Sequence, residues 1–221
     1  MTSQTDLERA RFNMIEQQIR TWEVLDQRVL DLLFRVRREE FMPPAYRALA
    51  FVDMEIPIGY GEKMLPPKLE ARMVQELALT PTDRVLEVGI GAGYMTALLA
   101  LLAGHVYSVD IIGEFTRNAG EKLAAHQVRN VTLDTGDAAR GWDKHGPYDA
   151  IVLTGSVPVL CESFRASLKP GGRLLAVVGE PPVMKAQLVT STAPAAYSTV
   201  TLFETCIPPL KNAPQPERFV F

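Results

Sequence analysis

Alternating apolar strands and amphipathic helices predict an α/β protein built on a doubly wound, mostly parallel sheet. An antiparallel pair of strands is expected at the C-terminal side, and a helical and irregular extension precedes the sheet. Apolar runs of strand length stand at 84–88, 105–110, 131–135, 150–154 and 173–178, with helical patterns between the first three and between the last two. Such alternation implies βαβ units and a sheet covered on both faces. After Gly179, by contrast, the runs 186–191 and 197–204 are separated only by a turn at Ala193-Pro194, which fits two adjacent antiparallel strands.

The elements follow in order. Asp26 is a plausible N-cap for a helix whose apolar face is Val29, Leu32, Leu33 and Val36. The basic cluster Arg35-Val36-Arg37-Arg38 reads as the solvated end of that helix. Residues 41–67 hold too much Pro and Gly for a regular element and read as a long ordered loop with short strands, a type of segment that often carries function. Pro66-Pro67 opens a helix with Leu69, Met73 and Leu77 on one face, closed by Thr80-Pro81. Helices are expected at 94–102, 114–126 and 158–168, with only a turn or partial helix in 138–149 and an extended tail from 207 to 221.

A chain of 221 residues suits one domain. Its net charge of −3 leaves no basic footprint for nucleic acid. No apolar run approaches the ~20 residues of a membrane span, and the polar start is no signal peptide. Two cysteines, Cys161 and Cys206, lack disulfide-framework or metal-ligand spacing. A cytoplasmic location is the expectation.

The stretch 86-LEVGIGAGYM-95 carries the chemistry. Gly89 and Gly91 let backbone turn tightly and approach a ligand, and the helix start behind them offers free N–H groups. A dinucleotide fingerprint would need a glycine where Tyr94 stands, and no Gly-Lys pair makes a phosphate loop. An acid, Glu87, ahead of the loop suits instead a ligand with cationic groups and no phosphate. S-adenosylmethionine is such a ligand, and Glu87 is expected to attract its amino-acid end. Asp110, ending the next strand, is placed to accept from ribose hydroxyls. Asp137 at the third strand end is placed to accept from the adenine amino group. Single acids at strand ends are ordinarily solvated caps; three at successive ends, with a glycine loop on the first, favour the methyl-donor site.

The chain resembles the protein-L-isoaspartate (D-aspartate) O-methyltransferases, a branch of the class I methyltransferases with a Rossmann-like fold. The motifs are 14-MIEQQI-19, 25-LDQRVLDLLFRVRREEFMPPAYRALAFVD-53, 56-IPIGYGEKMLPP-67, the glycine loop, 107-YSVDII-112, 136-GDAARGW-142, 147-PYDAIVLT-154 and 168-LKPGGRLLAVVG-179. The resemblance implies a cofactor site of Glu87, Gly89, Gly91, Asp110 and Asp137, with Ile111 and Ala138 flanking the adenine. It implies that Ile58, Gly59, Tyr60 and Gly61 close over the cofactor and line the substrate pocket, with Thr154-Gly155-Ser156 opposite. It also implies an antiparallel end to the sheet. Residues 1–67 would be a helical, substrate-covering segment packed on a methyltransferase domain of 68–221, in one structural unit. The partner implied is a protein or peptide bearing isoaspartyl residues; the oligomeric state is left open.

The sequence departs from the family on the acceptor side. Where the family reads G-Y-G-Q-T-I-S, this chain reads 59-GYGEKML-65, so Leu65 replaces a serine that helps hold the substrate carboxylate, and Lys63 replaces a threonine. The run after the fourth strand is 154-TGSVP-158, and 207-IPPL-210 stands near the end. Lys63 and Ser156 are the candidates to supply the missing charge or hydroxyl. Two classes of function follow: a methyltransferase acting on isoaspartyl peptides or another acceptor, and a cofactor-binding protein without transfer activity.

Overall fold

The computed structural model describes residues 4–216. Helix α1 (Gln4–Met14) runs through a π-helical turn, Ile15–Ile19, and a short 3-10 turn into α2 (Gln27–Arg35). Asp26 caps α2 by accepting the Arg28 N–H, and Val29, Leu30, Leu32 and Leu33 are buried. The short α3 (Arg38–Phe41) follows. The proline-rich segment then holds a 3-10 turn, Pro44–Leu49, and a hairpin of β1 (Ile56–Gly59) and β2 (Glu62–Met64). Tyr60 and Gly61 both have positive φ, 56° and 79°, as a two-residue turn with right-handed hairpin twist demands.

Pro67 starts α4 (Pro67–Glu76), which buries Leu69 and Met73. The main sheet then forms from β3 (Arg84–Val88), β4 (His105–Asp110), β5 (Val131–Thr135), β6 (Tyr148–Leu153), β7 (Leu168–Glu180), β8 (Val183–Ala193) and β9 (Ala196–Thr205). Their spatial order is β5-β4-β3-β6-β7-β8-β9. The first five are parallel, and β8 and β9 extend the sheet as an antiparallel meander from β7. Helices α5 (Tyr94–Leu102), α6 (Gly113–Ala125) and α7 (Glu162–Ala166) lie in three of the crossovers, and β5 reaches β6 through turns alone. Strand order reverses beside β3, with β4 on one side and β6 on the other, so a crevice opens at the carboxyl ends of β3 and β6.

One continuous core joins Ile15, Leu33 and Phe41 of the N-terminal segment to Leu99 and Val152 of the sheet layers, and a second core fills the opposite face around Tyr148 and Phe164.

Three expectations need correction. Residues 158–161 are not helical: Ser156 and Val157 instead bridge to Pro209 and Val178, which holds the chain extended until α7 begins at Glu162. Arg38 is not part of a solvated helix end. It is 1% exposed and donates to the Ala50 and Leu65 carbonyls and to Glu70. The tail from 207 is extended only to Leu210, where a turn at Lys211-Asn212 follows; residues 217–221 lie outside the described residues.

Candidate functional site: a methyl-donor cleft at the strand ends

The glycine loop leaves β3 and enters α5 at the strand-order reversal. Gly89, at φ 99°, lies so close to β6 that a Cβ would stand 2.1 Å from Thr154 Oγ1. That hydroxyl in turn donates to the Val88 and Gly89 carbonyls, so Thr154 pins the loop to β6. Gly91, at φ 51°, donates its N–H to Asp110 Oδ2 at 2.9 Å, and Ile112 N–H holds Oδ1 at 2.9 Å. Burial raises the Asp110 pKa against the pull of these two N–H groups. A carboxylate has about four lone-pair sites, so Asp110, which lines the cleft, can still accept from two vicinal hydroxyls.

Asp137 follows the end of β5. Its Oδ1 accepts the Ala139 N–H at 3.0 Å and its Oδ2 accepts from the Asn212 side chain at 2.8 Å. Asp110, Ile111, Asp137 and Ala138 line one cleft of about 680 Å³, its open mouth included, together with Gly89, Gly91 and Thr154. That volume suits a nucleoside-sized ligand.

The opposite wall is the hairpin. Ile58, Glu62, Lys63 and Leu65 face the cleft. Leu65 is buried and its carbonyl accepts from Arg38 at 2.7 Å, so the backbone here is fixed while the side chain offers no donor. Lys63 pairs with Glu55 at 2.7 Å. Tyr60 packs edge-on against Phe115 with centroids 5.5 Å apart; Phe115 lines the cleft, whereas Tyr60 and Gly61 form the turn beyond it.

Besides Tyr60 and Gly61, two further expected residues stand outside the cleft lining. Ser156 is 1% exposed and its hydroxyl donates to the Ile207 carbonyl at 3.0 Å, because its backbone is bridged to the tail. It anchors the wall from behind and brings no hydroxyl to the cleft. Glu87 is fully buried and lies outside the cleft lining, with Oε2 accepting from Thr96 at 2.5 Å and Ser108 at 2.6 Å. Its Oε1 has no partner among the described residues, and burial pushes its pKa up to about 8, with Asp110 and Glu70 adding repulsion.

The structure also adds residues the sequence did not announce. Pro208, Pro209, Leu210 and Lys211 form a third wall, and Lys211 reaches across to Glu62 at 2.5 Å. Only the Ile-Pro-Pro-Leu-Lys run hinted at this, since the contacts join segments far apart in the chain.

Sheet order, glycine loop and the acids at successive strand ends define a class I, S-adenosylmethionine-dependent methyltransferase. The family model described as protein-L-isoaspartate(D-aspartate) O-methyltransferase matches residues 9–207. The chain belongs to that family. Among its relatives, protein-L-isoaspartate O-methyltransferase 1 of Rhodopseudomonas palustris (strain HaA2) is 41% identical over 169 residues, 76% of this chain and 69% of the relative. The protein-L-isoaspartate O-methyltransferase of Anaeromyxobacter dehalogenans (strain 2CP-C) is 43% identical over 158 residues, 71% of this chain and 76% of the relative. The fold also matches a Plasmodium falciparum structure assigned to the same activity and holding S-adenosyl-L-homocysteine. That likeness has TM-score 0.76 at 19% identity, covering 90% of this chain and 97% of the other. A second solved protein-L-isoaspartate O-methyltransferase gives TM-score 0.79 at 23% identity, with 91% of this chain spanning 66% of that longer one.

Proposed function

We propose that the protein transfers a methyl group from S-adenosylmethionine to the free carboxylate of isoaspartyl residues in peptides and proteins. The observation that carries the reading is the cleft itself: Asp137, Asp110 and the glycine loop stand in sequence along one sheet edge, facing the hairpin. When bound, S-adenosylmethionine supplies an electrophilic methyl group on a sulfonium. The residues fit it, because the loop has room only for hydrogen at Gly89 and Asp110 is held open toward two hydroxyl donors.

An aspartyl-type acceptor, with a pKa near 4, is already ionised at neutral pH, so no general base is required. The chain's work is to align the acceptor oxygen and keep water away. Leu65 supplies shape without a donor. Lys63 and Lys211, the two lysines lining the cleft among the described residues, are the groups able to meet an acceptor carboxylate, each exchanging its glutamate partner for it. In this reading the substrate is protein or peptide rather than nucleic acid, and the setting is cytoplasmic, which the free thiols Cys161 and Cys206 support. Among the described residues, no helix is long and apolar enough to cross a membrane.

Leu65 with the paired lysines favours one second reading, an acceptor carboxylate other than isoaspartate. Labelled-methyl transfer to an isoaspartyl peptide, beside its aspartyl counterpart, separates the two. Selective labelling of the isoaspartyl peptide is expected. Cofactor binding without that labelling would sink the isoaspartyl reading and leave the changed acceptor; absence of cofactor binding would sink both.

A further inference from the structure

Behind the glycine loop the cleft continues into a recess of about 340 Å³, its open mouth included. Gly89, Gly91, Ile58, Lys63, Leu65 and Thr154 line both spaces, so the two communicate. Among the described residues lining the recess, Glu70 is the only carboxylate and Lys63 the only cation.

Glu70 lies on α4 and is 3% exposed. Arg38 holds its Oε2, and Arg38 is itself fixed by the Ala50 carbonyl at 3.1 Å and the Leu65 carbonyl at 2.7 Å. The other oxygen, Oε1, takes no hydrogen bond from the described residues. An ionised carboxylate has about four lone-pair sites, and Oε1, which is not among the fully buried unpaired atoms, opens onto the recess. Tyr94, also lining the recess, has a buried hydroxyl without a partner among the described residues. The recess is therefore polar, acidic on one side and incompletely paired, which points to a cationic ligand group.

The order of groups along the cleft says which one. With adenine toward Asp137 and ribose on Asp110, the remainder of the ligand passes Gly89 and Gly91 and reaches the recess. That remainder is an amino acid, with a primary ammonium and a carboxylate. Glu87 is not positioned to meet the ammonium, because it lines neither space.

We infer that Glu70, oriented by Arg38, binds the α-ammonium of the cofactor's amino-acid end in the recess behind the glycine loop. Arg38 is a positioning residue: it never touches the ligand, but it fixes the carboxylate and neutralises it when the recess is empty. The inference rests on the cofactor reading of the cleft and adds the residue that distinguishes an amino-acid-bearing nucleoside from a bare one.

The test measures binding by calorimetry with three ligands: S-adenosylhomocysteine, its analogue lacking the amino group, and 5′-methylthioadenosine, which lacks the amino-acid end altogether. The full-length wild-type chain is expected to prefer S-adenosylhomocysteine over the deamino analogue by about tenfold or more, as a charge-assisted hydrogen bond implies. In Glu70→Gln that preference should vanish while 5′-methylthioadenosine binds as in wild type. Glu87→Gln should keep the preference. Glu70→Asp, which retains the charge but withdraws it, should show a reduced preference and serves if the Gln variant fails to fold. Equal weakening of all three ligands in a folded Glu70 variant, an undiminished preference in such a variant, or no preference in wild type overturns the assignment. No binding of any ligand to wild type would instead overturn the cofactor reading.

Discussion

Asp110 orders the glycine loop by accepting the Gly91 and Ile112 N–H groups, and it lines the cleft. Asp110→Ala should weaken S-adenosylhomocysteine binding by about one to two orders of magnitude, the worth of hydrogen bonds to a charged group, as read by calorimetry. Glu87 makes a different prediction. Folded Glu87 keeps its proton up to about pH 8, whereas its ordinary value is 4.5. Between those values the folded state binds more protons than the unfolded one, so stability falls as pH rises through that window. Glu70, pushed up to about 7 by burial against the pull of Arg38, contributes with the same sign. Glu87→Gln removes its share of the loss. Its melting temperature in the absence of ligand should exceed that of wild type above pH 8 and converge with it near pH 4.5, the ordinary carboxyl value. Ser156→Ala should cost about 1 kcal/mol of stability by freeing the Ile207 carbonyl, with kcat changed little, as a scan of melting and turnover would show.

At the scale of elements, the parallel strands were legible because burial on both faces forces continuous apolar runs, and α5 begins and ends where its apolar segment does. The crossover after β6 was not. Its sequence has helix-compatible residues, but Ser156 and Val157 are taken by bridges to Pro209 and Val178, partners that no local pattern announces. The acids of the cleft were legible because each closes a strand. The side chain of Ser156 was misplaced for the same reason that the helix was: a long-range pairing with the tail turns it inward. Arg38 looked solvated because three arginines stand in four positions, yet α3 folds it under Leu65 and onto Glu70.

The hairpin and the tail also act as a pair of elements. Lys211 joins them through Glu62, and Asn212 braces Asp137. Exposed pairs of this kind contribute about 0–1 kcal/mol to folding, so Lys211→Ala should leave the melting temperature nearly unchanged. Because the tail also forms a cleft wall, the same variant should release S-adenosylhomocysteine faster in stopped-flow measurements. The double charge swap of Lys211→Glu with Glu62→Lys should slow that release again.

For the whole molecule, one core runs from α1 and α2 into the sheet, so the N-terminal segment and the sheet share their packing. The cleft draws its walls from four regions of sequence: the hairpin, the glycine loop with its strand-end acids, the β6 end, and residues 208–211. A ligand bound there holds all of them at once. At about a hundredfold excess over its Kd, S-adenosylhomocysteine should stabilise the fold by about 2.7 kcal/mol. For a chain of this size that corresponds to a melting shift of about 5–10 °C in calorimetry.

The tail wall has a consequence for synthesis. Residues 208–211 follow every strand of the sheet in the chain, yet they bound the space in which the ligand sits. A nascent chain can therefore assemble the parallel strands and the glycine loop while the ribosome still holds the segment that completes the binding site. Until that segment has emerged the cleft lacks one of its walls, so earlier intermediates rest chiefly on their own packing.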